Sequence, residues 1–218
     1  PSMPFDQYRA TFRKCAINAS RHRPEAIKAT LQRLADATGD AEQIDNYGSG
    51  DLIESFEREV AALLGKEAAI FMPSGTMAQP MALRIRADLA RTDYVPLHAT
   101  NHVALHEHNS YQVLWQLKGC ELGESHRVPL LDDLKTAARD PLAAVLLELP
   151  MREIGGQLPQ WDELVRQSDW ARAQGIKLHM DGARLWQCPA AYEKSLADIA
   201  ALFDSVYVSF YKDLGGIA

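Results

Sequence analysis

The chain has 218 residues, of which 47% are hydrophobic and 24% are charged, a composition typical of a globular protein of one or two domains. Its formal net charge of −6 argues against a nucleic-acid-binding surface, which would need a basic face. No apolar run approaches the roughly 20 residues that span a bilayer, and the N-terminus shows no signal peptide. The three cysteines, Cys15, Cys120 and Cys188, are far apart and lack metal-ligand spacing, so we expect reduced thiols and a cytoplasmic location.

The N-terminal part, residues 1–50, is predicted to form a helical arm with loops. Within it, residues 24–37 place apolar side chains on one helical face, with proline in the first turn and glycine just past the end. Another helix is predicted at residues 51–64, where Asp51 is a candidate cap and Glu54 follows three residues later. We assign residues 51–218 to a second, larger domain.

Strands and helices alternate from residue 68 onward. We predict strands at residues 68–72, 94–97, 112–117, 143–149, 176–180 and 206–210. We predict helices at residues 76–90, 102–109, 131–139 and 161–174. This alternation indicates an α/β fold with a mostly parallel sheet and helices on both faces.

Two of the predicted strands deliver an ionisable residue at or just past their C-terminal ends, Asp181 and Lys212. Ligands bind at that edge in open α/β sheets. Lysine forms Schiff bases, and pyridoxal phosphate (PLP) needs both an amine for its aldehyde and a carboxylate for its pyridine nitrogen. An aspartate after a strand is also often a helix N-cap, and a lysine there is often a solvated loop residue.

The segment Ser74-Gly75-Thr76 lies between a predicted strand and a predicted helix. Small hydroxyl residues and a glycine at a helix N-terminus can form an anion site, because backbone N–H groups point outward there. A plain Ser or Thr N-cap is the alternative. The segment is not a dinucleotide-binding fingerprint, since no G-x-G-x-x-G is present.

Further polar residues follow other predicted strands. His102 and His106 are one helical turn apart and next to Glu107, but no third metal ligand is evident, so a histidine stacked on an aromatic cofactor explains them at least as well. Arg152 follows the apolar strand at 143–149, where a guanidinium suits a substrate carboxylate. A surface arginine is the alternative there.

Four motifs together resemble the threonine aldolase / β-eliminating lyase family. They are GKEAAIFMPSGTMAQ at residues 65–79, His102 with Glu107, HMDGAR at 179–184 and SFYKDLGG at 209–216. The resemblance covers roughly residues 45–218, in order. It implies the PLP-binding large domain of fold type I, the aspartate aminotransferase fold, truncated before the family's C-terminal small domain.

The resemblance implies a role for each matching residue of the cofactor site. Lys212 matches the family's Schiff-base lysine. Asp181 matches the acid that pairs with the pyridine nitrogen, and His102 the histidine that stacks over the ring. Ser74, Gly75 and Thr76 match the phosphate loop.

The resemblance also implies a substrate site and an assembly. Arg184 matches the arginine near the cofactor and the substrate carboxylate, and we expect Arg152 to assist it. Tyr47, which precedes Gly48, matches a tyrosine that reaches a neighbouring subunit's site, so we expect a homodimer or homotetramer.

Several positions depart from the family pattern. Residues 17–20 read Ile-Asn-Ala-Ser where the family has Arg-Ser-Asp-Thr, and residues 150–152 read Pro-Met-Arg where many aldolases have Asn-Thr-His. Asp213 replaces the usual glycine after the lysine. The cofactor half of the site therefore matches the family, whereas the substrate half is altered.

The sequence thus predicts a PLP-dependent lyase that cleaves a threonine-like β-hydroxy amino acid to glycine and an aldehyde. Two alternatives stay open: β-elimination on an aromatic or sulfur amino acid, and an inactive PLP-binding fragment or non-catalytic homologue. We expect a small amino acid as the partner, with no metal, no nucleic acid and no membrane.

Overall fold

The computed structural model describes residues 5–15, 25–40, 42–45, 47–139 and 141–216. Residues 17–20, where the sequence departs from the family, lie outside this part of the chain. Two compact units are present, Pro1–Phe56 with Phe210–Ala218, and Glu57–Ser209.

Ten α-helices and two short 3-10 helices are formed by the described residues. The α-helices are α1 (Phe5–Lys14), α2 (Ile27–Ala37), α3 (Asp51–Leu63), α4 (Gly75–Ala90), α5 (His102–Leu105), α6 (Ser110–Val113), α7 (Leu131–Ala137), α8 (Trp161–Ala173), α9 (Cys188–Tyr192) and α10 (Leu196–Ala200). The 3-10 helices are Arg152–Ile154 and Leu185–Gln187. None of the helices in the described ranges is long and apolar enough to cross a membrane.

The larger unit is built on a five-stranded parallel sheet. Its strands are β1 (Tyr94–Leu97), β2 (Lys118–Glu121), β3 (Val145–Glu148), β4 (Leu178–Gly182) and β5 (Ser205–Val208). The strand order is β2-β1-β3-β4-β5, and every neighbouring pair is parallel. Because parallel crossovers are right-handed, the reversal of order between β1 and β3 puts helices on opposite faces of the sheet. The predicted α/β fold class is confirmed.

The core of this unit lies between α4 and the strands β1 and β3. Leu83 and Ala87 on α4 are fully buried, and they pack in one cluster with Val95 of β1 and Leu146 of β3. Every residue from Val145 to Leu147 is buried, as expected for a strand covered on both faces. This packing holds α4 rigidly against the sheet.

Two of the predicted strands are wrong. Residues 68–72 form no strand, and Ile70 and Phe71 are exposed there; the Phe71 N–H donates to the Glu57 carboxylate at 2.6 Å. Residues 112–117 lie partly in α6 and then in a turn where Gln116 has a positive φ of 53°, which no strand tolerates. An apolar segment becomes a strand only if another strand pairs with it, and apolar content alone does not show whether that pairing occurs.

Candidate active site

The carboxyl ends of β3, β4 and β5 meet at one edge of the sheet. Glu148 is the register partner of Asp181, and Asp181 is the register partner of Tyr207. The order of the strands reverses between β1 and β3, and this reversal marks the ligand-binding crevice of open α/β sheets. A ligand site of this unit is therefore expected along this edge.

Asp181 is buried there with two hydrogen-bond donors. The Gln79 side-chain amide donates to Oδ2 at 3.0 Å, and the Ala183 backbone N–H donates to Oδ1 at 3.1 Å. A glycine is required next to it, because a Cβ on Gly182 would lie 2.7 Å from the Tyr207 carbonyl oxygen. The aspartate is thus held between α4 and the turn that follows β4.

The predicted phosphate loop is the N-terminus of α4. Ser74 is the N-cap, and its hydroxyl accepts the Met77 N–H at 3.3 Å. The N–H groups of Gly75 and Thr76 precede the first intrahelical bonds, so they are available to an anion, which the helix dipole also favours. A side chain on Gly75 would overlap the Tyr207 hydroxyl, which lies directly against this turn.

His102 is held by a buried carboxylate. Its Nδ1 lies 3.0 Å from Glu107 Oε1, and Ser110 donates to the other carboxylate oxygen at 3.3 Å. The Glu107 side chain is only 1% exposed, whereas that of His102 is 37% exposed. This arrangement orients the imidazole with Nε2 directed away from Glu107.

His106 pairs with a different carboxylate, that of Glu153. Its Nε2 lies 3.0 Å from Glu153 Oε1, and its ring centroid is 5.3 Å from that of His102. Among the described residues, no group of three His, Cys, Asp or Glu side chains could hold a metal ion. The two histidines are instead each paired with their own glutamate.

Sequence reasoning missed Glu148, the last residue of β3. Asn101 donates to its Oε2 at 3.2 Å, and the Arg152 N–H donates to its Oε1 at 3.2 Å. Burial, and then the charge of Asp181, raise the pKa of Glu148 to about 7. The available signal was its position at the end of an apolar strand that neighbours the strand of Asp181.

The two predicted carboxylate-binding arginines differ in their surroundings. Arg152 is half-exposed, and its guanidinium lies 2.5 Å from Glu153 Oε1. Arg184 is partly buried just after β4, three residues beyond Asp181. Their binding of a substrate carboxylate stays a prediction.

Lys212 and Tyr47 belong to the other compact unit. Lys212 follows the last residue of β5 by four positions, and its Nζ lies 5.6 Å from the ring centroid of Tyr211. Tyr47 is fully exposed and has a positive φ of 57°. Their roles in cofactor attachment and subunit contact stay predictions.

The buried polar atoms of the larger unit fit a PLP-type group. Gln79 Oε1 and Ser209 Oγ are buried, and neither has a hydrogen-bond partner within the described part of the chain. A buried polar atom without a partner costs about 1–3 kcal/mol, so such atoms indicate a missing ligand or water. A buried acid and the N-terminus of α4 lie at the same sheet edge, an arrangement that suits a cationic ring with a phosphate.

A parallel sheet with these features at its carboxyl edge defines the large domain of fold type I PLP-dependent enzymes. The sequence comparison is more specific: residues 26–217 match the family model described as beta-eliminating lyase. The chain therefore belongs to the threonine aldolase / β-eliminating lyase family, a family of PLP-dependent enzymes.

Individual relatives agree with this assignment. Aldolase vrtJ of Penicillium aethiopicum is 36% identical over 197 residues, which are 86% of this chain and 50% of that protein. A Listeria monocytogenes structure, assigned as an L-allo-threonine aldolase, is 43% identical with a TM-score of 0.91 over 98% of this chain and 59% of that one. An Exiguobacterium structure, assigned as an aromatic amino acid beta-eliminating lyase/threonine aldolase, is 42% identical with a TM-score of 0.90 over 96% and 58% of the two chains. The chain spans about half the length of the curated relatives it matches.

Proposed function

We propose that this protein is a PLP-dependent lyase that cleaves the Cα–Cβ bond of a threonine-like β-hydroxy amino acid into glycine and an aldehyde. The observation that supports it most is the His102–Glu107 pair at the same sheet edge as Asp181. Aldol cleavage needs a base for the β-hydroxyl proton as well as a site for the cofactor. The relatives assigned as aldolases support the same reaction.

In this proposal, PLP supplies the electron sink for the bond cleavage. Lys212 would hold its aldehyde, Asp181 its ring nitrogen, and the N-terminus of α4 its phosphate. Arg184, assisted by Arg152, would bind the substrate carboxylate. These assignments follow the family match for Lys212 and Arg184, and the geometry of the sheet edge for the others.

The proton of the β-hydroxyl would be accepted by His102. Because Nδ1 faces Glu107, that nitrogen carries the proton in the neutral ring, and Nε2 has the free lone pair. The positive charge that then develops on the His102 imidazole would be stabilised by the buried carboxylate of Glu107. A water positioned by His106 is the alternative base at this edge.

A product assay tests the proposal. The PLP-saturated protein is incubated with threonine and allo-threonine, from which aldehyde and glycine are measured, and separately with tyrosine, tryptophan and cysteine, from which pyruvate and ammonia are measured. Aldehyde with equal glycine is the expected result. The His102→Phe variant should keep the bound cofactor and lose most turnover, whereas His108→Gln, at an exposed position of the same segment, should behave as wild type.

The second candidate is β-elimination on an aromatic or sulfur amino acid. Two observations support this reaction. The Exiguobacterium relative is assigned both as a beta-eliminating lyase and as a threonine aldolase. In addition, residues 150–152 of the expected substrate site read Pro-Met-Arg where many aldolases have Asn-Thr-His. Pyruvate and ammonia without aldehyde would establish it. A protein that acquires the visible absorbance of bound PLP without turning over any substrate would instead be a non-catalytic homologue.

We further propose that the protein forms a homodimer or homotetramer. The exposed Tyr47 and the exposed apolar side chains of Ile27 and Leu31 on α2 support it, since such residues are commonly covered at subunit contacts. Light scattering of the PLP-bound protein is the test. A monomer with full activity would refute a site shared between subunits.

A further inference from the structure

Two carboxylates lie side by side at the sheet edge. Glu148 and Asp181 occupy matching positions on the parallel neighbours β3 and β4. In a parallel pair, residues in register point to the same side of the sheet. Asp181 is only 1% exposed, and Glu148 is partly buried. The neighbouring charge of Asp181 therefore opposes ionisation of Glu148.

Glu148 also holds the segment that carries His102. Asn101, which donates to Glu148 Oε2, is fully buried and caps α5 by accepting the Val103 N–H at 3.0 Å. The His102 backbone N–H also lowers the pKa of the Glu148 carboxyl. Glu148 therefore fixes the first turn of α5, the turn in which His102 lies.

The charged groups around Glu148 come from each neighbouring element. Asp181 on β4 raises its pKa, after burial, whereas the N–H groups of Arg152 and His102 and the charge of His102 lower it, and the balance is a pKa of about 7. The Arg152 guanidinium itself is paired with Glu153. On the β1 side, His98 has both ring nitrogens engaged, by Thr100 and the Glu124 carbonyl. Asp181 is thus the neighbouring charge that opposes ionisation of Glu148.

We propose that Glu148 is a positioning residue that releases its proton to solvent when the cationic pyridinium ring of PLP pairs with Asp181, and that the resulting carboxylate holds the first turn of α5 under His102 more firmly. The ring's positive charge cancels the repulsion from Asp181, so the second carboxylate can ionise. An ionised acceptor binds N–H donors more strongly than a neutral acid does. Cofactor binding would thereby order the catalytic histidine. The inference rests on the proposed binding of PLP.

Proton release on PLP binding is the measurement. Titration calorimetry of PLP at pH 7, in two buffers of different ionisation enthalpy, counts the protons released. A group with a pKa of about 7 is half protonated at that pH, so wild type should release about half a proton more than Glu148→Gln. At pH 9 the difference should vanish, because Glu148 is then ionised before PLP arrives.

Glu153→Gln is the matched control at the same edge. Its hydrogen bond to His106 lowers the pKa of Glu153, so this carboxyl has no proton to release at pH 7 and the variant should match wild type. Asp181→Asn is a second variant that keeps Glu148 but removes the opposing charge, and its release should exceed that of the double variant Asp181→Asn/Glu148→Gln by less than wild type exceeds Glu148→Gln. The pH profile gives an independent readout: PLP affinity of wild type should fall more steeply below pH 7 than that of Glu148→Gln.

The outcomes separate the inference from the proposed function. Equal proton release by wild type and Glu148→Gln at pH 7, with PLP bound in both, would overturn the coupling alone. No binding of PLP by wild type would overturn the proposed function as well. If Glu148→Gln does not fold, infrared difference spectra of wild type decide the question, because loss of a protonated-carboxyl C=O band on PLP binding at pH 7 supports the inference and no such loss overturns it.

Discussion

Asp181→Asn should leave the fold intact and reduce turnover by about 10²–10³-fold. The asparagine oxygen can still accept the Ala183 N–H, which now reaches Oδ1 at 3.1 Å, so the local turn is preserved. What is lost is the charge opposite the pyridine nitrogen. Removing one preorganised electrostatic partner costs about 3–4 kcal/mol of transition-state stabilisation, which corresponds to that factor in kcat.

The assay is aldehyde release from threonine under saturating PLP, with cofactor content checked by absorbance. Asp204→Asn is the matched control, since Asp204 also bonds backbone of the sheet, accepting the Leu178 N–H at 2.9 Å, but lies at its amino end. Asp204→Asn should lower stability and leave kcat nearly unchanged. Activity of Asp181→Asn within a few fold of wild type would show that Asp181 only holds the turn after β4.

Three further predictions concern neighbouring groups. Glu107→Gln should keep His102 in place but lower kcat by up to about a hundredfold, because the charge that stabilises the protonated ring is removed; steady-state kinetics at saturating PLP checks it. The stability of wild type relative to Glu148→Gln, without PLP, should fall as the pH rises from about 4.5 to 7, because folded Glu148 keeps its proton to a pKa of about 7 while the unfolded side chain loses it near 4.5; urea titrations of both proteins across that range isolate this difference from the opposite contribution of His179, whose burial lowers its pKa to about 4. Lys212→Ala should abolish covalent attachment, and borohydride reduction with peptide mapping of wild type should find PLP on Lys212; an adduct on Lys177, which pairs with Asp204 at the opposite edge, would contradict the assignment.

The strand end at Asp181 and the helix start at Gly75 could be predicted because their signals are local in sequence. An apolar run that ends in Asp181 already indicates a buried strand with an acid at its carboxyl end. Ser74 and Gly75 indicate a helix start, and α4 begins at Gly75 as expected within one residue. Each of these features depends on neighbours within a few positions, which the sequence displays directly.

The partners of these residues could not be predicted in the same way. Gln79 reaches Asp181 across 102 positions of sequence, and Glu148 faces it only because β3 and β4 pair in that register. Register and burial arise from the packing of whole elements, so no local pattern assigns Gln79 to the site. The false strands at 68–72 and 112–117 have the same cause, since pairing with a neighbour decides whether an apolar run becomes a strand.

One helix sets the distance between the two ends of the proposed cofactor site. The first turn of α4, at Gly75, offers the N–H groups for an anion, and Gln79, one turn later, donates to Asp181. Four residues of helix rise about 6 Å, so the anion-binding end and the buried acid are held at a fixed separation along one rigid element. Because Leu83 and Ala87 anchor that helix in the core, neither end can move independently of the sheet. The proposed binding of PLP would use this fixed separation, with its phosphate at the N-terminus of α4 and its ring nitrogen at Asp181.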